Sequence, residues 1–339
     1  MMCASSLKVS VITPSYNRAD FLPRSIASVL RQDFKDLELL IIDDGSTDNT
    51  ADVVKKIQAQ DRRLRYFKLP QNRGIGFARD FGLRNALGEY IAWVDSDDLW
   101  LPDKLKMQIE VMDHNPDIDI LFSDFWNINH IEGKKKRSFK QYQTAMGFME
   151  TRNISKDRYI IDGGIDRAIL VDSFVHFQTT LFRSKIIERV GSIDRTLNGS
   201  EDFEFFWRAS VLGAQFSYMN RLLVERHIID SSVTRKNNCH SLYQMLIALQ
   251  KCRQTSEKCR RYDLLKHICA AEQRMWRNII RKYSITNQRA KIWQTFKDSL
   301  KNGLSVRTFV FFLLGMSGSN AMSFAMKLRT KTLCDPDLE

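Results

Sequence analysis

Short apolar runs alternate with amphipathic stretches along the first hundred residues of the chain. In each amphipathic stretch the apolar residues recur at a spacing of three or four, which is typical of a helix with one buried face. This alternation predicts a β-α-β-α-β-α-β order and therefore a parallel sheet with helices on both faces. The predicted strands span residues 8–13, 37–42, 64–69 and 90–94, and the predicted helices span 19–31, about 48–60 and 75–87.

Polar residues follow each of the four predicted strands. They lie at residues 13–17, 43–44, 72–74 and 95–98. The carboxyl ends of parallel strands share one edge of the sheet, which is where open α/β sheets bind their ligands. We therefore expect these four segments, which are separate in sequence, to converge in space.

The segment Asp95-Ser96-Asp97-Asp98 places three carboxylates directly after a buried strand. Like charges so close together repel unless a metal ion, a proton or strong hydrogen-bond donors offset the repulsion. Carboxylate oxygens suit Mg²⁺ or Mn²⁺ carrying a diphosphate. The alternative is a solvated acidic turn, because Asp and Ser are common in turns.

These segments, with two further motifs downstream, resemble the successive signatures of the family 2 glycosyltransferases, which have the GT-A fold. The resemblance covers roughly residues 7–235. It implies an α/β, Rossmann-like sheet and an enzyme that moves a sugar from a nucleotide diphosphate to a hydroxyl with inversion. The motifs lie at residues 11–17, 42–48, 72–74, 95–98 and 199–208, followed by Arg226-His227 with Ser231.

The resemblance assigns donor binding to the loops after the first three strands. Pro14 and Tyr16 would hold the nucleobase of the donor, and the Asp44 carboxylate would accept the ring N3–H of uracil. Asp43 would help from the same turn, and Asn72 would shape the donor pocket. A plain turn is the alternative for residues 43–46, since glycine at the third position suits a positive φ.

The resemblance also implies a divalent cation, Mn²⁺ or Mg²⁺, bound beside the diphosphate. Asp97 would bind the metal, Asp95 would contact the ribose or a metal-bound water, and His227 would contact the metal or diphosphate. A histidine in such an apolar setting is otherwise an ordinary structural residue. Asp98 is either a supporting partner of the site or the cap of a helix that begins near Pro102.

Asp202 is the predicted general base, and Glu201 the predicted contact to the acceptor or donor sugar. Both begin an amphipathic helix, so the alternative is that they only complement the helix dipole. One departure from the family pattern is Ala78-Arg79-Asp80, where Ala-Arg-Asn is common. On the acceptor side, residues 118–127 and 177–182 are predicted strands. Gly133 with Lys134–Arg137 predicts a hairpin tip, and His176 or Gln178 is a predicted acceptor contact.

Length and composition predict two parts. With 339 residues and 43% hydrophobic content, the chain is long enough for one large domain and an appendage. We expect a catalytic domain over residues 1–235 and a helical region over 236–339. The six cysteines form no Cys-x-x-Cys pair, and the amino terminus has no apolar stretch typical of a signal peptide. Both features predict a cytoplasmic enzyme with reduced thiols.

The positive charge is concentrated in the carboxy-terminal region. Residues 231–339 contain 20 of the 52 basic and 7 of the 40 acidic residues, so they carry a net charge of +13, against −1 for residues 1–230. Helices are predicted at about 242–282, 287–300 and 306–328. A basic amphipathic region of this kind favours peripheral docking to anionic lipid. The alternative is packing on the catalytic domain, and nucleic-acid binding is not expected because no recognised module is present.

Two other function classes share this sheet architecture. A nucleotidyltransferase that makes nucleotide sugars needs a glycine-rich phosphate loop after the first strand, and Pro14-Ser15-Tyr16-Asn17-Arg18 is not such a loop. A non-catalytic scaffold of the same fold predicts a broken carboxylate set. Here Asp44, Asp95, Asp97 and Asp202 are all present. The favoured hypothesis is transfer from a UDP-sugar to a glycan or lipid-linked acceptor.

Overall fold

One sheet, of 11 strands within the residues that the structure describes, organises the protein. The computed structural model describes residues 7–229, 239–300 and 306–317. The main path of the sheet runs β3-β2-β1-β4-β10-β6-β11-β9-β8, with β5 beside β11 and β7 beside β6. The strands are β1 (Val9–Ser15), β2 (Leu37–Asp43), β3 (Leu64–Lys68), β4 (Tyr90–Trp93), β5 (Leu99–Trp100), β6 (Ile120–Asn129), β7 (Lys134–Arg137), β8 (Glu150–Ser155), β9 (Arg158–Gly163), β10 (Thr180–Arg183) and β11 (Phe216–Ile228).

Helices cover both faces of this sheet. Those of the first part are α1 (Leu22–Leu30), α2 (Thr50–Gln58), α3 (Ile75–Asn85), α4 (Lys104–His114), α5 (Ser138–Gln141), α6 (Gln143–Met146), α7 (Ile165–Val171), α8 (Ile186–Val190) and α9 (Glu201–Val211). The later ones are α10 (His240–Lys258), α11 (Leu265–Ile285), α12 (Arg289–Leu300) and α13 (Val306–Met316), with 3₁₀ turns at Phe177–Thr179 and Tyr262–Leu264.

The predicted β-α repeat and the α/β fold class are confirmed. Strands β1 to β4 pair in parallel, and β1, β2 and β4 are buried throughout. Alternate side chains enter opposite cores: Leu39 and Ile41 pack with α1 and α2, whereas Leu40 and Ile42 pack with α3. Burial on both faces explains why these strands are continuous apolar runs.

The second half of the sheet is mixed. Strand β10 lies antiparallel between β4 and β6, and β11 runs parallel to β6. The strand predicted at 177–182 is a 3₁₀ turn followed by β10, because Thr180 Oγ1 donates to the carbonyl of Phe177. The hairpin predicted at residues 133–137 is present, and Gly133, with a φ of 61°, lies in its turn. Lys134–Arg137 belong to the strand β7 and not to the tip, since they pair antiparallel with the end of β6.

The first two carboxy-terminal helices share a core with the sheet. Ala248 and Cys252 of α10 and Ile268 of α11 belong to the same apolar cluster as Phe205 of α9. The single helix predicted at about 242–282 is two helices, and the chain turns at Arg260, whose φ is 57°. The predicted helix 306–328 is seen over α13, and its remainder lies outside the described residues, as do Ser231 and the predicted boundary near residue 235.

Within the described part of the chain, no helix combines the length and the hydropathy that crossing a bilayer requires. The cysteines in this part, Cys239, Cys252, Cys259 and Cys269, form no disulfide bond with one another. Cys3 and Cys334 lie outside the described residues.

Candidate active site

The loops after β1 and β2 are joined at the carboxyl edge of the sheet. The Asp44 amide donates to the carbonyl of Ser15 over 2.8 Å, and the Asn17 amide donates to Ser46 Oγ over 2.9 Å. Tyr16 lies at the rim of this junction with 44% of its surface exposed. Pro14 is buried as a member of β1. The rim therefore offers an exposed aromatic ring beside a rigid backbone.

Asp44 fastens the loop after β3 to the same edge. Its two carboxylate oxygens accept the backbone N–H groups of Arg73 and Gly74 at 2.9 and 2.8 Å. Gly45 has a φ of 75°, and a Cβ there would lie 2.8 Å from the Asn72 backbone nitrogen. Burial raises the pKa of Asp44, although the two backbone donors act in the opposite direction. Asn72 itself is exposed beside the loop.

Asp43 is occupied inside the turn. Its side chain is fully buried, and it accepts the Ser46 amide at 2.7 Å and the Tyr66 hydroxyl at 2.5 Å. Because each oxygen has a partner within the protein, Asp43 stabilises the loop that presents Asp44. The sequence did not distinguish these two roles.

Arg79 joins the acidic segment after β4 to the acidic start of α9. Its buried guanidinium donates to Asp95 Oδ1 over 2.7 Å and to Glu201 Oε1. Glu201 is also buried, and its second oxygen accepts the Gly199 amide at 2.7 Å. Desolvation lowers the pKa of Arg79, but the charges of Asp95 and Glu201 outweigh it and raise the pKa, so the residue is a permanent cation.

The neighbouring Asp80 explains the departure from the Ala-Arg-Asn pattern. Its buried carboxylate forms ion pairs with Arg84 and Arg195 and accepts the Ser192 hydroxyl. A carboxylate, unlike an amide, balances these two cations. Asp80 therefore ties α3 to the segment between α8 and α9.

Asp97 differs from Asp95 because no salt bridge reaches it within the part of the chain that the structure describes. Burial, followed by the charge of Asp95, raises the pKa of Asp97, and the charges of Arg18 and Arg226 lower it less. A partly buried carboxylate without a direct counter-charge is an expected position for a cation.

Asp98 supports the site and does not cap a helix. Its buried carboxylate accepts the backbone N–H of His227 at 2.9 Å and so links the segment after β4 to β11. The following helix α4 begins one residue after Asp103. Burial and the charges of Asp97 and Asp95 raise the pKa of Asp98 well above its ordinary value.

The predicted metal set of Asp95, Asp97 and His227 is not assembled. Among the residues that the structure describes, no three His, Cys, Asp or Glu side chains are grouped closely enough to hold a metal ion. His227 Nδ1 lies 2.7 Å from Nε2 of His130, and the two rings stack with centroids 5.0 Å apart. Burial and the neighbouring His130 lower the pKa of His227. His227 is therefore paired with a ring, and Asp95 with Arg79.

Asp202 occupies the first turn of α9, beside Glu201. Its Oδ2 lies 3.2 Å from Nδ1 of His176, and its Oδ1 accepts the Phe203 amide at 2.7 Å. Burial raises the pKa of Asp202, but the His176 hydrogen bond and the charge of Arg79 outweigh it, and the pKa is lowered. Asp202 is therefore an ionised carboxylate at neutral pH.

Arg79 and His176 are the site residues whose roles the sequence analysis missed. A signal for Arg79 was present: two buried acidic segments need a cation, and α3 offers an arginine within an otherwise buried stretch. For His176 only proximity to the acceptor side was expected. Gln178, its companion in that expectation, is buried and accepts the Trp100 indole N–H through its backbone carbonyl at 3.2 Å.

The family model described as Glycosyl transferase family 2 matches residues 10–189, just over half of the chain. The chain belongs to glycosyl transferase family 2. Membership of this family favours the sugar-transfer hypothesis over the nucleotidyltransferase and scaffold alternatives. The matched residues include the motifs at 11–17, 42–48, 72–74 and 95–98.

Curated relatives match mainly a stretch of about a hundred residues. An uncharacterized glycosyltransferase of Rickettsia felis is 48% identical over 108 residues, which cover 32% of this chain and 18% of that protein. The Escherichia coli UDP-Glc:alpha-D-GlcNAc-diphosphoundecaprenol beta-1,3-glucosyltransferase WfgD is 39% identical over 122 residues, covering 36% of this chain and 47% of that protein. The chain thus spans less than half the length of these two relatives.

Solved structures share the fold over nearly the whole chain. S. aureus TarS 1–349 in complex with UDP-GlcNAc has a TM-score of 0.63 at 18% identity, covering 96% of this chain and 92% of that chain. The mannosyltransferase PcManGT from Pyrobaculum calidifontis, in complex with GDP-Man and Mn²⁺, has a TM-score of 0.58 at 14% identity, covering 98% and 89%. The predicted GT-A fold with a helical carboxy-terminal region is confirmed.

Proposed function

We propose that this protein transfers a sugar, with inversion, from a UDP-sugar to a hydroxyl of a glycan or lipid-linked acceptor. The observation that carries the proposal is the set of contacts made by helix α3 and by the residues just before it. Asp44 holds the two backbone amides just before it, and Arg79 within it binds Asp95 and Glu201. One rigid element therefore ties together the three acidic motifs that sugar transfer requires. The complex of TarS with UDP-GlcNAc and the donor and acceptor in the name of WfgD support the same choice.

The donor nucleotide is assigned to the junction of the first three loops. Tyr16 would stack on the uracil, with Pro14 behind it and Asn72 at the exposed rim. Each carboxylate oxygen of Asp44 accepts one amide and keeps a further lone pair, so the carboxylate retains capacity for the uracil N3–H. Asp95, whose side chain is 27% exposed, would accept a ribose hydroxyl.

Asp97 is the residue that we assign to the metal, Mg²⁺ or Mn²⁺. Such a cation is commonly held by one or two carboxylates together with substrate phosphates and water, so three protein ligands are not needed. The donor set fits, because burial raises the pKa of Asp97 and no salt bridge within the described residues satisfies it. When bound, the cation would neutralise charge on the departing diphosphate.

Asp202 is assigned as the general base. Its ionised carboxylate would accept the proton of the acceptor hydroxyl while that oxygen forms a bond to the anomeric carbon. The bond from the anomeric carbon to the diphosphate oxygen breaks, and UDP leaves with the electron pair. Glu201 would then serve by holding Arg79 in place, and the sugar contact predicted for it stays a prediction.

The test is UDP release from UDP-glucose and UDP-GlcNAc, with GDP-mannose as a further donor, at fixed Mn²⁺ or Mg²⁺. Asp202→Asn should reduce kcat by about 10²–10⁴ with donor affinity nearly unchanged. Asp97→Asn should weaken donor binding in the presence of metal. Asp117→Asn, an exposed carboxylate before β6, is the matched control. The reverse pattern of binding and turnover would reverse the two assignments.

We further infer that the carboxy-terminal region docks on the anionic cytoplasmic face of a membrane. Helix α13 presents exposed apolar residues at helical spacing, Val306, Phe309, Val310 and Leu313, and Arg307 is exposed beside them. Trp293 of α12 is exposed next to this face and packs on Phe312. An apolar strip with basic neighbours is typical of helices that lie in a lipid interface.

Vesicle flotation of the full chain tests this docking. Wild type should float with vesicles of phosphatidylcholine and phosphatidylglycerol, less so with pure phosphatidylcholine, and less at high salt. Val310→Ser with Leu313→Ser should weaken flotation. Leu87→Ser, which alters an apolar residue that is 67% exposed on the catalytic part, should not. Equal flotation of all three proteins would contradict the docking.

A further inference from the structure

A histidine is bonded directly to the residue that we assign as the base. His176 lies just before the 3₁₀ turn Phe177–Thr179, and its Nδ1 is 3.2 Å from Asp202 Oδ2. The other oxygen of Asp202 is held by the Phe203 amide. A carboxylate that is bonded at both oxygens cannot rotate freely, so its remaining lone pairs keep one orientation.

The surroundings of the second nitrogen of His176 bear on which ring nitrogen carries hydrogen. Nε2 is buried and has no hydrogen-bond partner in the described part of the chain. The ring packs edge-on against Phe125 and near Tyr142, with centroids 5.4 and 6.4 Å away. A protonated ring would bury an N–H without an acceptor there, which is costly. The neutral tautomer with hydrogen on Nδ1 therefore suits the site, and that hydrogen is donated to Asp202.

We propose that His176 is a positioning residue for sugar transfer, which holds the Asp202 carboxylate ionised and in one orientation through its Nδ1–H. The inference rests on the proposed role of Asp202 as base. It assigns no proton transfer to the imidazole, because the buried Nε2 lies among aromatic rings. A fixed base matters because a small displacement from the attacking hydroxyl costs a large factor in rate.

The pKa of Asp202 depends on the charged and titratable groups around it, including His176. Burial raises the pKa of Asp202, while His176 and then Arg79 lower it. Among the described residues, Glu201 and Tyr142 also interact with it. Without the imidazole donor, the effect of burial would be opposed less and the pKa of Asp202 would rise. The base would then stay protonated to a higher pH.

The experiment compares His176→Phe with His176→Asn. Asparagine places an amide N–H near the position of Nδ1, whereas phenylalanine keeps the ring and removes the donor. UDP release is measured against pH, with UDP-glucose or UDP-GlcNAc, whichever the wild type turns over faster. His176→Phe should lower kcat by about tenfold to a hundredfold and move the acidic limb of kcat/KM to higher pH. His176→Asn should restore the limb and most of kcat.

A purely structural role predicts a different result. Both variants would then lose activity in proportion to their loss of Tm, with the acidic limb unmoved, and this would overturn the inference. Asp202→Asn separates this inference from the proposed function. If Asp202→Asn remains active, Asp202 is not the base and both proposals fail. If it is inactive while the limb of His176→Phe stays in place, only the role of His176 is wrong.

A second measurement needs no substrate. Nitrogen chemical shifts of ¹⁵N-histidine-labelled protein, assigned by comparison with His176→Asn, report which ring nitrogen carries hydrogen. The expected result is hydrogen on Nδ1 of His176 between pH 6 and pH 8 in the wild type, and a change in this signal in Asp202→Asn. Hydrogen on Nε2 at neutral pH would overturn the inference whatever the activity.

Discussion

The two acidic segments of the site, residues 95–98 after β4 and Glu201-Asp202 at the start of α9, are balanced in different ways. In the first, burial and mutual repulsion raise the pKa values of Asp97 and Asp98. In the second, Asp202 has a lowered pKa because His176 and Arg79 offset its burial. The first segment thus has too little positive charge for its three carboxylates, because Arg79 reaches only Asp95. In the second, the protein supplies enough for Asp202, while burial raises the pKa of Glu201 beside it.

This difference matches the two tasks that we assign. A segment short of cations is suited to receive one together with a diphosphate, and a segment already supplied keeps a base ionised. Arg79 connects the two, because it donates to Asp95 on one side and to Glu201 on the other. We therefore expect distinct results from substitutions of Arg79, of Asp97 and of the buried Asp98.

Removing the shared cation should have the largest effect. Arg79→Met leaves Asp95 and Glu201 without their partner in a buried setting, which typically costs about 3–5 kcal/mol in the free energy of unfolding. Urea denaturation measures this loss. Arg84→Met on the same helix is the control, because its side chain is 59% exposed and its loss should cost about 1 kcal/mol or less. Equal losses would show that the two acidic segments do not depend on Arg79.

Cation binding should separate the two segments. UDP with Mn²⁺ at about 100 times Kd should stabilise the wild type and Asp202→Asn by about 2.7 kcal/mol. Asp97→Asn should gain much less, because the carboxylate that we assign to the cation is gone. Differential scanning fluorimetry with UDP alone, Mn²⁺ alone and both together gives the measurement. Full protection of Asp97→Asn would move the cation to another residue.

Asp98→Asn should have the smallest effect, and in the opposite direction. The amide oxygen can still accept the His227 N–H, while the buried charge beside Asp97 is removed. Because the folded-state pKa of Asp98 is raised, the wild type loses stability as pH rises from the unfolded pKa through the folded one. Without added metal, Asp98→Asn should therefore be the more stable protein at pH 7, and the difference should vanish near pH 3. A constant difference across pH would contradict this explanation.

The sequence predicted the first half of the sheet because its signals are local. Strands β1, β2 and β4 are buried on both faces and are therefore apolar runs, and the turn residues after them mark the edge of the sheet. Asp44 and Asp202 were proposed by resemblance; the structure shows them at a sheet edge and at a helix start, and their roles stay predictions.

The rest depended on contacts between distant parts of the chain. The bond from Arg79 to Glu201 spans 122 positions, and that from His227 to Asp98 spans 129. The spacing of apolar and polar residues carries no signal for such pairs. The prediction from sequence therefore assigned His227 to the metal and gave Arg79 no role. The antiparallel insertion of β10 between β4 and β6 is equally non-local.

The shared core of α9, α10 and α11 determines what can be recombined with other members of the family. Phe205 on the helix that bears Asp202 lies in one apolar cluster with Ala248, Cys252 and Ile268. A chimera joined just after β11 would pair one protein's α9 with a foreign α10, and mismatched side-chain volumes in a core cost stability. A functional chimera should therefore take all residues as far as Ile285 from one protein. The part of the chain on which catalysis depends thus extends well past the last strand.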